Sequence, residues 1–346
     1  MRVNSPPPAA ALFGCGGARL SEDERRFFAT VDPLGFILFA RNIETPGQVK
    51  ALVADLRASV GRADAPVLID QEGGRVQRLR PPHWRKAPPG AAFAAVAARD
   101  LAAAREALRL DFRLIGRELA ELGIDVDCAP VLDVPVPGAH DVIGDRAYGA
   151  TPEEVAALAG EVIEGLLDEG VLPVIKHVPG HGRAMVDSHL ALPVVEASLA
   201  ELEARDFPPF RAMRHAPWAM TAHVVYTALD AIRPATTSAK VIAEVIRGAI
   251  GFDGVLISDD LSMKALGGSF EQRTRDSLDA GCDVVLHCNG DMAEMTAVAA
   301  ELRPLTDAAL IRLERGAAMK RTPEAFDIVV AAARVDALLA VGASHG

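Results

Sequence analysis

Eight short apolar segments, spaced regularly along the first 290 residues, constrain the fold of this chain more than any other feature. Each is rich in Val, Ile, Leu or Phe without strict alternation, which is typical of parallel strands that are buried on both faces. The segments span residues 10–14, 35–42, 66–74, 124–134, 171–180, 218–226, 254–262 and 282–289. A soluble chain must bury all eight, and parallel strands do so by pairing side by side in a sheet.

Helical patterns separate most of these segments. Residues 45–60 and 151–170 both open with Thr-Pro, a typical helix start, and residues 237–251 show a similar pattern. Alternating strands and helices indicate βαβ units and a parallel sheet. Eight such strands predict an α/β fold with a single (β/α)8 TIM-type barrel, followed by extra C-terminal helices over about 291–341. An open doubly wound sheet is the weaker alternative, since there are eight strands and no GxGxxG motif. We expect residues 1–346 to form one domain.

Composition and charge narrow the class of protein. The chain is 50% hydrophobic and 24% charged, which is ordinary for a soluble globular enzyme. Its net charge of −11 argues against nucleic acid and anionic membranes as partners. No apolar run reaches the ~18 residues of a membrane span. The N-terminal stretch "MRVNSPPPAAA" lacks the apolar core of a signal peptide, so we expect a cytoplasmic protein.

Polar side chains collect where the predicted strands end. Active sites of such barrels lie at the carboxyl ends of the strands, so this clustering indicates an enzyme. The residues concerned are Asp70 and Glu72 after the third strand, Asp133, Asp145 and Arg146 after the fourth, Lys176 and His177 at the end of the fifth, His223 in the sixth, and Ser258, Asp259 and Asp260 at the end of the seventh.

Several of these residues have structural alternatives. Asp70 could cap a helix near residue 75, Arg146 could form a surface ion pair, and His223 could be a hydrogen-bonded core histidine. The three histidines 177, 181 and 189 could suggest zinc, but Pro179 and Gly180 prevent the helix that would bring the first two together. We therefore expect no metal and no cofactor.

Four segments resemble glycoside hydrolase family 3, in its single-domain β-N-acetylglucosaminidase branch. They are "LIDQEGGRVQRL", "VIGDRAYG", "KHVPGHGRAMVDSHLALP" and "GVLISDDLSMKAL", which occur in the family's order between about residues 10 and 290. The departures are Gln71, Asp145 and Val178, where the family commonly has His, Glu and Phe. None removes a charged catalytic group. Larger members carry a second domain that supplies the acid/base residue, so here we expect that residue within the barrel.

The resemblance implies roles for eight residues. Neighbouring strand residues face opposite sides, so the residues alone do not choose between Asp259 and Asp260 as a nucleophile. The resemblance chooses Asp259, and it makes His189, oriented by Asp187, the general acid and base on a mobile Gly/Pro-broken loop. It implies sugar binding by five further residues: Asp70, Arg78, Arg146, Lys176 and His177.

The resemblance also implies the reaction and its substrate. The expected activity is that of a retaining exo-β-N-acetylglucosaminidase acting on small carbohydrates, typically N-acetylglucosaminyl muropeptide fragments in cell-wall recycling. Three alternatives remain at this point. They are a barrel metallohydrolase, a non-catalytic sugar-binding barrel, and a phosphorylase that uses phosphate in place of water.

Overall fold

Eight parallel strands close into a barrel in the computed structural model, which describes residues 6–343. All eight predicted strands are present, and closure excludes the open doubly wound sheet. The strands are β1 (Ala9–Phe13), β2 (Pro33–Leu38), β3 (Val67–Ile69), β4 (Val126–Asp127), β5 (Leu172–Val178), β6 (Trp218–Thr221), β7 (Val255–Asp260) and β8 (Val284–His287). Each strand pairs with its neighbours in sequence, and β1 pairs with β8 to complete the ring.

Helices cover the outside of the barrel. They are α1 (Glu22–Val31), α2 (Pro46–Ser59), α3 (Gly90–Ala97), α4 (Leu101–Leu122), α5 (Pro152–Asp168), α6 (Leu199–Glu201), α7 (Phe207–Ala212), α8 (Phe270–Ala280), α9 (Met292–Ala299), α10 (Asp307–Ala317) and α11 (Ile328–Ala343). Wider π-helical turns occupy Leu202–Asp206 and Val241–Ala249, and short 3₁₀ turns occupy Ala40–Asn42, Gly144–Arg146 and Ala235–Thr237. None of the helices in this part of the chain is long and apolar enough to cross a membrane.

Local sequence explains where the predicted helices begin. The Thr151 hydroxyl accepts a hydrogen bond from the amide of Glu154, whose carboxylate in turn accepts from the Thr151 amide. This capping box, with Pro152 at the first helical position, satisfies amides that a helix start leaves free. The predicted helix over 237–251 is confirmed, but it is π-helical over Val241–Ala249.

The C-terminal helices predicted over 291–341 are α9, α10 and α11, of which α11 packs on α3 and α4. Two arginines of α4 attach the segment before α11 to the barrel. The guanidinium carbons of Arg113 and Arg117 lie 4.2 and 5.1 Å from the ring centroid of Phe326. Both arginines also pair with the buried Glu169 carboxylate. We infer that this C-terminal segment stabilises the barrel and does not contribute to the polar residues at the strand ends.

Candidate active site

A pocket at the carboxyl ends of the strands brings together most of the polar residues that the sequence singled out. Seven of the eight site residues predicted from the sequence line it: Asp70, Arg78, Arg146, Lys176, His177, His189 and Asp259. The eighth, Asp187, lines an adjoining groove that His189 also borders. Apolar side chains complete the pocket wall, among them Ile37, Phe39, Met220 and Met263.

A buried network of charges forms one side of this pocket. The Lys176 ammonium lies 2.8 Å from the Asp70 carboxylate and 2.6 Å from that of Glu72, and its side chain is 2% exposed. Arg146 donates two hydrogen bonds of 2.8 Å to the Glu72 carboxylate, and Arg78 pairs with Asp70 at 3.0 Å. Buried charges must be paired to be tolerated, and the network meets this requirement before any ligand arrives.

The network fixes the charge state of its carboxylates. Burial alone would raise the pKa of Glu72, but the charges of Arg146 and Lys176 outweigh it and lower that pKa to about 2. Lys176 and Arg78 likewise overcome the effect of burial on Asp70 and lower its pKa. Both groups are therefore ionised at neutral pH and can accept hydrogen bonds.

Neither structural alternative for Asp70 and Arg146 holds. Residues 71–77 form a small antiparallel pair, Gln71–Gly73 with Val76–Gln77, so no helix begins at residue 75 for Asp70 to cap. Arg146 is mostly buried and pairs with the equally buried Glu72, so it is not a surface ion pair.

Asp133 orients the histidine that follows Lys176. Its carboxylate lies 2.7 Å from His177 Nδ1 and accepts hydrogen bonds from the backbone amides of His177 and His181. Because a carboxylate can only accept, His177 Nδ1 carries the proton of this bond. The bond at Nδ1 leaves Nε2 as the ring nitrogen available to a ligand of the pocket, which His177 lines.

The two neighbouring aspartates at the end of β7 do different things. The Asp260 carboxylate accepts hydrogen bonds from the amides of Ser262 and Cys288 and from the Ser262 hydroxyl, so it holds the loops together. In contrast, Asp259 accepts one hydrogen bond, from the Asp260 amide at 2.8 Å. Burial opposes its ionisation, but the His223 and His177 rings favour the anion, and the net effect lowers the pKa of Asp259.

His223 is a hydrogen-bonded core histidine that lies beside Asp259. Its two ring nitrogens contact the Thr236 hydroxyl at 2.7 Å and the Asp260 carbonyl at 3.0 Å. Burial lowers the pKa of His223. With both nitrogens engaged, the buried ring is held in place.

The loop after β5 carries the remaining pair. His189 Nδ1 lies 2.8 Å from the Asp187 carboxylate, which also accepts the His189 amide at 2.9 Å. Burial opposes ionisation of Asp187, but the bonds from His189 outweigh it and lower its pKa. The His189 side chain is 63% exposed. It borders the same pocket as Asp259, and Nε2 is the ring nitrogen that the bond to Asp187 leaves unengaged.

No three His, Cys, Asp or Glu side chains converge as a metal-binding group within residues 6–343. The charged groups of the pocket are instead partnered by one another. Sequence reasoning did not assign a role to Glu72, which bonds both Lys176 and Arg146, or to Ser188, which bonds His181. The signal for Glu72 was its place two residues after Asp70, at the same strand end.

The chain is similar to known proteins in both sequence and structure. The sequence profile of the glycosyl hydrolase family 3 N-terminal domain matches residues 14–314. A β-hexosaminidase of Alkalilimnicola ehrlichii is 43% identical over 313 residues, which cover 87% of each chain.

Two solved structures of NagZ from Neisseria gonorrhoeae are also similar. The complex with N-trifluoroacetyl-D-glucosamine superposes with a TM-score of 0.87 at 34% identity, over 97% of this chain and 100% of that one. The complex with a zinc ion gives a TM-score of 0.85 at 32% identity, with the same coverage.

Proposed function

The chain belongs to glycosyl hydrolase family 3, and from this membership we propose that it is a retaining exo-β-N-acetylglucosaminidase. The single observation that carries the proposal is the pairing of two groups across one pocket. The first is the ionised carboxylate of Asp259, which, unlike Asp260, does not hold the neighbouring loops together. The second is the imidazole of His189, which is oriented by Asp187. A retaining glycosidase needs a nucleophile and an acid/base, and these residues supply both.

In the first step, the Asp259 carboxylate attacks the anomeric carbon of the terminal sugar. The bond between that carbon and the leaving oxygen breaks as His189 Nε2 gives the oxygen its proton. The Asp187 carboxylate, 2.8 Å from Nδ1, stabilises the imidazolium before the transfer and fixes the ring orientation throughout. The product is a glycosyl ester on Asp259.

In the second step, the neutral His189 ring takes a proton from water as the water attacks the anomeric carbon. The ester bond breaks and Asp259 leaves as a carboxylate. Two inversions at one carbon give retention of configuration. A histidine suits both steps because its unperturbed pKa of ~6.5 lets it act as an acid and then as a base near neutral pH.

The charged network is proposed to hold the sugar in subsite −1. Asp70 accepts from hydroxyls, and Arg78, Arg146 and Lys176 donate to hydroxyls and the acetamido carbonyl. His177 contributes its free ring nitrogen. Because these groups are already paired with each other, substrate binding would reorganise little of the site, which favours catalysis.

For the natural substrate, we propose N-acetylglucosaminyl muropeptides released during cell-wall recycling in the cytoplasm. We also propose that the chain works as one catalytic unit. The N-acetylglucosamine analogue bound by the gonococcal NagZ supports the sugar part of this proposal.

One assay tests the reaction. Purified protein should release nitrophenol from 4-nitrophenyl β-N-acetylglucosaminide and yield free N-acetylglucosamine at the same rate with or without phosphate. Formation of N-acetylglucosamine 1-phosphate in proportion to added phosphate would show that the reaction is phosphorolysis and not hydrolysis. Binding of N-acetylglucosamine without any turnover would show that the protein is a non-catalytic sugar-binding barrel.

A further inference from the structure

Ser188 is buried although most of the residues around it in the loop are exposed. Its side chain is buried, with 3% exposure for the residue, whereas Met185, His189 and Leu190 are exposed. Ser188 stands between Asp187 and His189, so any contact that fixes Ser188 also fixes the proposed acid/base pair.

The partner of Ser188 is His181, at the start of the same loop. Ser188 Oγ lies 3.0 Å from His181 Nε2, and both residues line the active-site pocket. Burial, and after it the charge of His177, lower the pKa of His181 to about 4. The ring is therefore neutral at neutral pH and shares one hydrogen bond with a neutral hydroxyl.

His181 is itself anchored to the barrel. Its amide donates a hydrogen bond of 2.6 Å to Asp133 Oδ1, in the segment that follows β4. The same carboxylate holds the ring of His177 at 2.7 Å. A continuous series of contacts thus runs from Asp133 through His181 to Ser188, and so to the residues on either side of it.

The two ends of the loop are fastened separately from its tip. The Tyr226 hydroxyl donates to the Gly180 carbonyl at 2.7 Å, and the Arg183 guanidinium pairs with Asp206 at 2.7 Å. At the other end, Val194–Val195 pairs with Val225–Tyr226 as two short parallel strands. The segment between these anchors contains Ser188.

From this geometry we propose that the Ser188–His181 hydrogen bond is a latch that holds Asp187 and His189 over Asp259. Ser188 and His181 are positioning residues, which act through the acid/base pair and not on the sugar. The proposal rests on the proposed function for its kinetic consequences. Its structural consequence, an ordered loop tip, is independent of any chemistry.

Ser188→Ala tests the latch in the full-length protein. Amide hydrogen exchange of residues 185–191 should become faster in the variant without ligand, because the tip loses its side-chain contact to His181. Turnover of an N-acetylglucosaminyl disaccharide should fall about 3- to 10-fold, the range expected for one net hydrogen bond. Formation of the glycosyl-enzyme from the nitrophenyl glycoside should keep its rate, because nitrophenolate leaves without a proton.

Two further variants make the outcome decisive. Val186→Ala removes apolar surface from the same loop without removing this hydrogen bond, and should change neither exchange nor the ratio of the two rates. Adding Ser188→Ala to His181→Ala should cost nothing beyond the single His181→Ala variant, since the bond is already lost.

Several results would overturn the latch. Unchanged exchange at 185–191 in Ser188→Ala does so whatever reaction the protein catalyses. Equal losses on both substrates in Ser188→Ala, or multiplying losses in the double variant, show that Ser188 does not act through His181 on the acid/base pair. If wild-type protein forms no glycosyl-enzyme, the proposed function fails instead, and the exchange experiment still decides the latch.

Discussion

Replacing Asp259 with alanine is expected to abolish hydrolysis of every substrate, natural disaccharide and aryl glycoside alike. The nucleophile forms the new bond to the anomeric carbon, so no leaving group can compensate for its absence. The loss should be on the order of 10⁴–10⁶-fold in kcat, as for removal of central groups in other covalent hydrolases. Rates with a nitrophenyl glycoside and with a disaccharide measure it.

Asp260→Asn is the matched control for this variant. Asp260 bonds the amides of Ser262 and Cys288, and an asparagine oxygen can still accept both hydrogen bonds. The activity of the variant should stay within about tenfold of wild type, because the substitution alters only the hydrogen bonds of one side chain. The reverse result, an active Asp259→Ala protein and an inactive Asp260→Asn protein, would assign the nucleophile to Asp260.

Replacing His189 with alanine is expected to separate the two substrates. A sugar alkoxide leaves poorly without a proton, so hydrolysis of the disaccharide should fall on the order of 10²–10⁴-fold, the usual effect of a lost acid/base. Nitrophenolate needs no proton, so the aryl glycoside should show a rapid burst followed by slow turnover. Azide, which attacks without deprotonation, should speed the slow phase.

His215→Ala is the control for the histidine variant. His215 is exposed and precedes β6, so it lies at the end of the barrel opposite the pocket, and its loss should leave both rates unchanged. If His189→Ala lost the same factor on both substrates, with no burst and no rescue by azide, His189 would be a binding or structural residue. The acid would then lie elsewhere on the rim of the barrel.

The fold was largely predictable because it follows from local patterns. Apolar segments without alternation marked all eight strands, and Thr-Pro starts marked α2 and α5. The π-helical turn at Val241–Ala249 was not predictable, since its apolar spacing also fits an ordinary helix. The anchoring of Phe326 between Arg113 and Arg117 joins residues more than 200 positions apart, which periodicity does not reveal.

The candidate site was predictable in its members but not in their partnerships. Strand ends brought Asp70, Lys176 and Asp259 to one rim, as their positions required. The sequence could not show that Glu72 would pair with Lys176, or that Asp260 would hold two loops and leave its neighbour available. Nor could it show that Ser188 turns inward to His181. Such contacts depend on how loops cross one another in space.

Trapping the covalent intermediate tests the central claim most directly. A slow fluorinated N-acetylglucosaminyl substrate should leave one sugar on the protein, and mass spectrometry of peptides should find it on Asp259 within "GVLISDDLSMK". Because the two aspartates are adjacent, fragmentation between Asp259 and Asp260 decides which one carries the ester. A label on another residue, or turnover through an oxazoline with no labelled protein, would contradict the account.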